Sequence, residues 1–391
     1  QEKRSNWESH WQEVSDYMLP RKAEITKQRA RGDKRHVQIF DATAIHALEL
    51  LAASLHGMLT SSANKWFSLR FKETELNDID EAKEWLENST TRMYDAIAKS
   101  NFQQEIFECY FDLIAFGTAC LMIEEDQEDT LLFSARHIKE IYIQENKKGF
   151  VDTIYRKFKM PVQAVIDKFG ADNVSKDTVT AFKKSPFEET TLVHVARPRS
   201  DFDPQKKDKQ NMPVESIYFE FESGHIISIG GFNEMPYVIP RYLKASTETY
   251  GRSPGMNALP DVKVLNKMVE NGLKAAAKQI DPPLLVPDDG MLAPIRMSPG
   301  SINFFRSGSR ERIEPLQINA NTNVSLNNEN QRRDAIAKMF HVDQLLITEN
   351  RNMTATEVLQ RNEEKMRILG PVLGRLQSEL LSPLIIRVFN M

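Results

Sequence analysis

"ENGLKAAAKQIDPPLLVP", Glu270–Pro287, reads as the end of a long helix, an abrupt stop at two prolines, and a short apolar strand. Lysines recur along the helix with alanines beside them. Upstream, Lys263 and Lys267 precede Lys274 and Lys278, so the four are spaced four, seven and four. At about 100° per residue they fall within an arc of roughly 60°, a basic stripe about 23 Å long. Val262, Leu265, Val269, Leu273, Ala276 and Ile280 lie mostly on the opposite side and are expected to pack. Pro260 is read as the helix start, and Asp281-Pro282-Pro283 as its end. Two readings of the stripe stand side by side. One is a solvated amphipathic helix. The other is a helix lining a passage for an anionic polymer, with a ring of copies multiplying the charge and Ala275–Ala277 allowing neighbouring helices to approach.

Outward from this helix the chain alternates between helical and β patterns. Trp7, Trp11, Val14 and Met18 predict a helix over 5–20, followed by a basic stretch, "RKAEITKQRARGDKR", read as a mobile loop. Asp41 is placed to cap a helix running to Leu59. "KWFSLRF" alternates and predicts a strand. Helices are expected over 79–99 and 103–116, and strands through 119–159. A short helix is expected over 161–169, then two strands around the charged loop "DFDPQKKDKQNMP". A further helix is expected near 327–340. "TATE" at Thr354–Glu357 forms a capping box, and Gly370-Pro371 is expected to kink the helix that follows. The fold class is α+β, mainly helical.

Composition excludes several classes. The 391 residues suffice for two or three domains or one elongated protomer. Net charge is −4, so any nucleic-acid contact must come from local patches or an assembly. The most apolar uncharged stretch, Leu50 to Asn64, is too short and too polar to cross a bilayer, and no signal peptide is evident. Cys109 and Cys120 are the only cysteines, which fits a reducing compartment and buried apolar roles.

No phosphate-binding G-x-x-x-x-G-K-[ST] loop, H-E-x-x-H or C-x-x-C motif occurs. His46 and Glu49 share a helix face, but two ligands do not make a metal site. "PDVK" at 260–263 superficially matches a nuclease signature, yet here it opens a helix. Asp201 and Asp203 could hold a hard cation, although their lysine-rich loop favours solvated charge. These two acids carry the rival reading, a metal-dependent DNA-processing enzyme. The main reading assigns no catalytic residue, metal or cofactor.

Five segments carry a family resemblance. They are "IFDATAIHALELLAASLHGMLTSSANKWFSLRF" (39–71), "FGTACLMIEED" (116–126), "GFVDTIYRKFKMPVQAVIDKFG" (149–170), "PRYLKASTETYGRSPGMNALPDVKVLNKM" (240–268) and "MTATEVLQRNEEKMRILGPVLGRLQSEL" (353–380). Their order along the chain resembles the portal, or head-to-tail connector, proteins of short-tailed phages. Ser61-Ser62-Ala63 stand where that family usually has prolines.

The resemblance implies a non-enzymatic twelve-fold ring at one capsid vertex of the virion, assembled in the bacterial host cytoplasm. The ring would pass double-stranded DNA, without sequence preference, during packaging and ejection. It would dock the terminase motor, capsid or scaffold proteins and a tail adaptor, and contact no membrane. The implied regions are a wing (1–259), a first stem helix (260–281), a clip (282–317) and a second stem helix (318–340). A tunnel loop (341–353) and a kinked wing helix (354–391) follow, with a crown beyond Met391. The stem lysines and the tunnel-loop residues Glu349, Asn350, Arg351 and Asn352 are then candidates to meet DNA. Arg296, Arg306, Arg310 and Arg312 are candidates to meet partners at the clip. Stem lysines paired with acids on adjacent stem helices, such as Glu329 and Asp334, are the competing expectation.

Overall fold

The computed structural model describes residues 4–285, apart from 29, 31, 36–38, 127, 129, 204 and 207, and then residues 314–315, 322–342, 367 and 369–391. Helices α1 (Ser5–Met18), α2 (Thr43–Leu59), α3 (Asp80–Lys99) and α4 (Phe102–Phe116) come first. Strands β1 (Leu121–Asp126), β2 (Thr130–Ala135), β3 (Ile141–Glu145) and β4 (Val151–Pro161) follow. After α5 (Val162–Phe169) and α6 (Lys176–Lys184) come β5 (Glu189–Pro198), β6 (Val214–Glu220), β7 (Ile226–Phe232) and β8 (Tyr237–Val238). The long helix α7 (Pro254–Ile280), a two-residue pair of β9 (Leu284–Leu285) with β10 (Glu314–Pro315), and α8 (Thr322–Met339) lead to the C-terminal helical segment. There residues 369–376 are α-helical, Gln377–Leu381 form a π turn, and α9 (Ser382–Asn390) completes the chain. The α+β class is observed.

One large core joins the helices. Its centre is α4, whose sequence is apolar on nearly every side and which buries ten residues, among them Ile106, Tyr110, Leu113 and Phe116. Trp11, Leu48, Leu51, Leu265, Ile336 and Leu384 reach it from α1, α2, α7, α8 and α9. α4 stops at Gly117, which has φ +75. A Cβ there would lie 2.3 Å from the carbonyl oxygen of Gly251, so only glycine permits this approach. The contact ties the end of α4 to the approach of α7.

Two antiparallel sheets sit beside the helices. The smaller has the order β2-β1-β8, and the larger is a five-stranded meander, β3-β4-β5-β6-β7. The inner face of the larger sheet is covered by two small cores. Ile154 and Ala196 meet Cys120, Met122 and Tyr237, while Phe158 and Leu192 meet Val165 and Val174 from the α5–α6 region. His194 on this face bonds Tyr237 (2.6 Å) and Ser216 (2.9 Å) and stacks on Tyr218. Burial pushes its pKa down to about 3, so it is a neutral structural group.

The structure corrects four expectations. "KWFSLRF" is not in a sheet: the Tyr94 hydroxyl accepts the N–H groups of Trp66 (2.7 Å) and Phe67 (2.8 Å) and donates to the Phe67 carbonyl. Asn77 satisfies Phe71 in the same way, so side chains replace a ladder. The basic stretch after α1 is anchored at its start, because the side-chain amide oxygen of Gln12 accepts from the N–H groups of Ile25 and Thr26 and Lys22 pairs with Asp112 at 2.6 Å. α7 begins at Pro254, not Pro260: Ser253 caps it by accepting from the N–H of Met256 at 3.0 Å, and Pro260 and "PDVK" lie inside it. α6, capped by Ser175, was not expected from the pattern. Gly370-Pro371 lies inside a helix, as expected, and a π turn follows at Gln377–Leu381.

Candidate functional site

α7 is 27 residues long, about 40 Å. Its first half is built into the body. Met256, Ala258, Leu259, Val262 and Leu265 are buried, and Asn266 accepts the Phe40 N–H at 2.7 Å. Gly255 lies against Ile114 and Ala115 closely enough that a Cβ would approach the Ile114 carbonyl to 3.1 Å. The second half departs from the body. Val269 is partly buried, but Leu273 is 58 % exposed and Ile280 is 85 % exposed. The expectation that these two pack is therefore corrected within one chain: the helix has left the core by the time it reaches them.

α8 runs beside α7 with the same gradient. Ile336 and Phe340 are fully buried near the body, whereas Leu326 is exposed. The helices touch where Gly272 leaves room for the Glu329 carboxylate. Ion pairs fix their base: Arg332 reaches Asp261 at 2.6 Å, and Arg333 reaches Asp41 at 2.9 Å. Asp41 also accepts the Thr43 N–H at 2.9 Å, so one carboxylate starts α2 and anchors α8. Burial alone would raise the Asp41 pKa, but the bonds from Thr43 and Arg333 outweigh it and hold the carboxyl below its ordinary value.

The lysine row occupies the flank of this hairpin. Lys263 pairs with Glu13 of α1 at 2.8 Å. Lys267 and Lys274 share Glu270, at 2.9 and 2.5 Å. The bonds from Lys274 and Lys267 keep the partly buried Glu270 carboxyl below its usual value. Lys278 is exposed and, among the described residues, has no carboxylate within ion-pair distance. The intrachain acids are therefore Glu13 and Glu270. Glu329 instead faces Arg333, at 3.4 Å. Exposed pairs of this kind contribute about 0–1 kcal/mol each, so a polyanion can displace them.

A charged node at the base of α7 escaped the sequence reading. Arg241 is fully buried. Its Nε donates to Glu379 at 3.1 Å and its Nη2 at 2.6 Å, while its backbone N–H reaches the same carboxylate at 3.0 Å. Nη1 is paired with Glu145 and donates to the Thr249 carbonyl (3.1 Å), and Nη2 donates to the Gly149 carbonyl (2.8 Å). Lys244 adds to Glu145, and Arg375 to Glu379. Burial would lower the Arg241 pKa, but the bonds from Glu379 and Glu145 raise it above the ordinary value. Glu379 lies in the π turn, so the C-terminal helical segment is clamped to the loop that precedes α7. The available signal was an acid set among Leu373, Leu376, Leu380 and Leu384 on an apolar helix face.

The remaining candidates divide by position. Asp203 lies near Lys206 (3.8 Å) and accepts the Gln205 N–H. Among the described residues no cluster of three or more acids, histidines or cysteines has metal-binding geometry. Cys109 and Cys120 are buried free thiols, and burial pushes both pKa values up. No described helix is long and apolar enough to cross a membrane. Arg296, Arg306, Arg310 and Arg312, the loop residues Glu349, Asn350, Arg351 and Asn352, and the Thr354–Glu357 capping box lie outside the described residues.

Comparison with known proteins gives a consistent result. A family described as bacteriophage head to tail connecting protein matches residues 1–391. The chain is 34 % identical over 399 residues to the probable portal protein of Bordetella phage BPP-1, covering 99 % of this chain and 71 % of that one. It is 32 % identical over 397 residues to the portal protein of Salmonella phage epsilon15, with the same coverage. The portal protein of Enterobacteria phage T3 is 21 % identical over 407 residues, covering 98 % and 70 %.

Proposed function

The chain belongs to the portal, or head-to-tail connector, family of bacteriophages, and from that premise we propose that it works as a twelve-subunit ring at one capsid vertex. The ring passes double-stranded DNA during packaging and ejection, docks the packaging motor and the tail, and catalyses no reaction itself. It meets capsid or scaffold proteins in the virion and assembles in the bacterial cytoplasm. Residues 260–281 and 318–340, which hold most of α7 and α8, form the stem, residues 282–317 the clip and 341–353 the tunnel loop.

The observation that carries this reading is the outer half of the α7–α8 hairpin. Leu273, Ile280 and Leu326 stand exposed on helices whose bases are firmly buried. An apolar surface on a projecting hairpin is stabilised by neighbours that cover it, and a closed ring of copies supplies them without leaving an open end. The lysine flank then faces the passage or the next subunit. With an overall charge of −4, the passage carries sparse basic rings, giving weak phosphate contact that falls steeply with salt. The arginines at 296, 306, 310 and 312 present the clip to its partners. The polar residues at 349–352, with Arg351 among them, face the DNA.

Electron micrographs of the purified protein test this directly. End-on views should show twelve-fold rings with an axial channel and a mass of about half a megadalton. A protein of one-chain mass at every concentration would overturn the proposal.

A further inference from the structure

The five-stranded sheet has a second face on which, among the described residues, no core cluster packs; the Lys209–Met212 turn closes its Gly231 end and Arg4 lies over Tyr142 at its β3 edge. The registers align Tyr155, Val195, Ile217 and Ile229 in one row across β4–β7. Lys157, Val193, Phe219 and Ile226 make the next row. Both rows point away from the two small cores, and neither Val193 nor Val195 belongs to a core cluster. Ile226 is 52 % exposed and Ile229 is 48 % exposed. Tyr155 is exposed as well, while Val193 and Val195 between these residues are only 6 % exposed, so the open apolar surface lies along the two margins of the rows. Lys157 lies 3.3 Å from the centroid of the Phe221 ring and, among the described residues, has no carboxylate within ion-pair distance. The nearest acid to Lys159 is Glu189, at 4.0 Å. The face is thus apolar with a basic margin.

A second bare surface has the opposite character. The 3-10 turn Thr74–Asp78 and the first turns of α3 expose Leu76, Ile79 and Trp85. Around them stand the exposed acids Glu73, Glu75, Asp78, Asp80, Glu81 and Glu84. Lys83, near Asp80 at 3.5 Å, is the one basic group among the described residues that pairs with any of them. Within one chain the two surfaces do not meet. Among the described residues no hydrogen bond, ion pair or ring contact joins residues 73–85 to β4–β7. α9 stands between them, with Arg387 over Phe232 at the sheet's end (5.1 Å) and Phe389 against Trp85 (6.2 Å).

We propose that the open face of the large sheet receives residues 74–85 of a neighbouring copy of the chain. This rests on the ring reading. A head-to-tail ring needs two different, complementary patches on each subunit, and this pair matches in both apolarity and charge. A sheet face docked on its own copy would instead set Lys157 and Lys159 against themselves, a like-charge contact.

Cysteine pairing in the full chain tests the contact. Cys109 and Cys120 are buried, so engineered surface thiols react selectively. The double variant Ile79→Cys/Ile229→Cys should oxidise to a covalent ladder of two, three and more subunits, while the Ile79→Cys single variant should give no ladder. Lys157→Glu/Lys159→Glu should lower the ring fraction about tenfold at low salt, and adding Asp78→Lys/Glu81→Lys should restore it. Circular dichroism of each variant checks that the fold is intact. Rings of normal mass with no ladder, and no response to charge reversal, would overturn this contact and leave the ring reading standing. A thiol at position 229 that is open to labelling in rings and protected only by an added tail or capsid protein would also overturn it. A one-chain mass at all concentrations would remove both.

Discussion

The two halves of α7 share a helix but not a role. From Pro254 to Asn266 the apolar residues except Val264 point into the core, a glycine fits against α4, and the approach to the helix is clamped by Arg241. Beyond Lys267 the same apolar period continues, yet Leu273 and Ile280 face solvent and the charged residues pair with one another. The difference teaches that periodicity reports that a face is to be covered, not by which chain. The inner half is a determinant of the subunit fold. The outer half is a surface waiting for a neighbour.

Breaking the inner half should have the largest effect. Glu379→Ala removes the main carboxylate from a fully buried arginine, and stability should fall by about 3–5 kcal/mol, read from denaturant unfolding. A loss below about 1 kcal/mol would mean that the base of α7 is not held by this node. Asp41→Ala comes next. It removes the bond that starts α2 and the anchor of α8, at a cost of about 1–2 kcal/mol near neutral pH. The folded pKa of Asp41 lies below its unfolded value of about 3.9. Its contribution is therefore complete above that value and is lost as pH falls through the lower folded pKa. The gap between parent and variant should close in the same acid range, and a gap independent of pH would contradict the ion-pair account.

The outer half should respond least in stability. Lys267→Gln/Lys274→Gln should change unfolding free energy by about 0–1 kcal/mol, because each pair is exposed. The same variant should lower the salt dependence of DNA binding by rings if the flank meets phosphate. Rings that fail to form would show that these lysines hold subunits together instead.

Much of this architecture was legible in the sequence. α1–α4 and the strands from β1 to β6 follow from apolar spacing and turn residues, because local period and burial agree there, whereas β7 was not expected. The reading failed where a distant side chain decided the outcome. "KWFSLRF" alternates like a strand, but Tyr94, 27 residues from Phe67, satisfies its backbone. Pro260 looked like a helix start because proline favours first turns, yet Ser253-Pro254 supplies a better one. Arg241 and Glu379 are 138 residues apart, so no local pattern links them. The lysine row was visible, and so was Glu270 at the i+3 and i−4 positions that neutralise two of its members. That pairing needed only helix spacing to be seen.

Amide hydrogen exchange along α7, followed as the protein assembles, addresses the central claim most directly. Amides of the inner half, 254–266, should be protected in the free subunit and in the ring alike. Those of 267–280 should exchange quickly in the free subunit and become protected on assembly. Equal protection of both halves before assembly, or no gain in the outer half afterwards, would contradict the account.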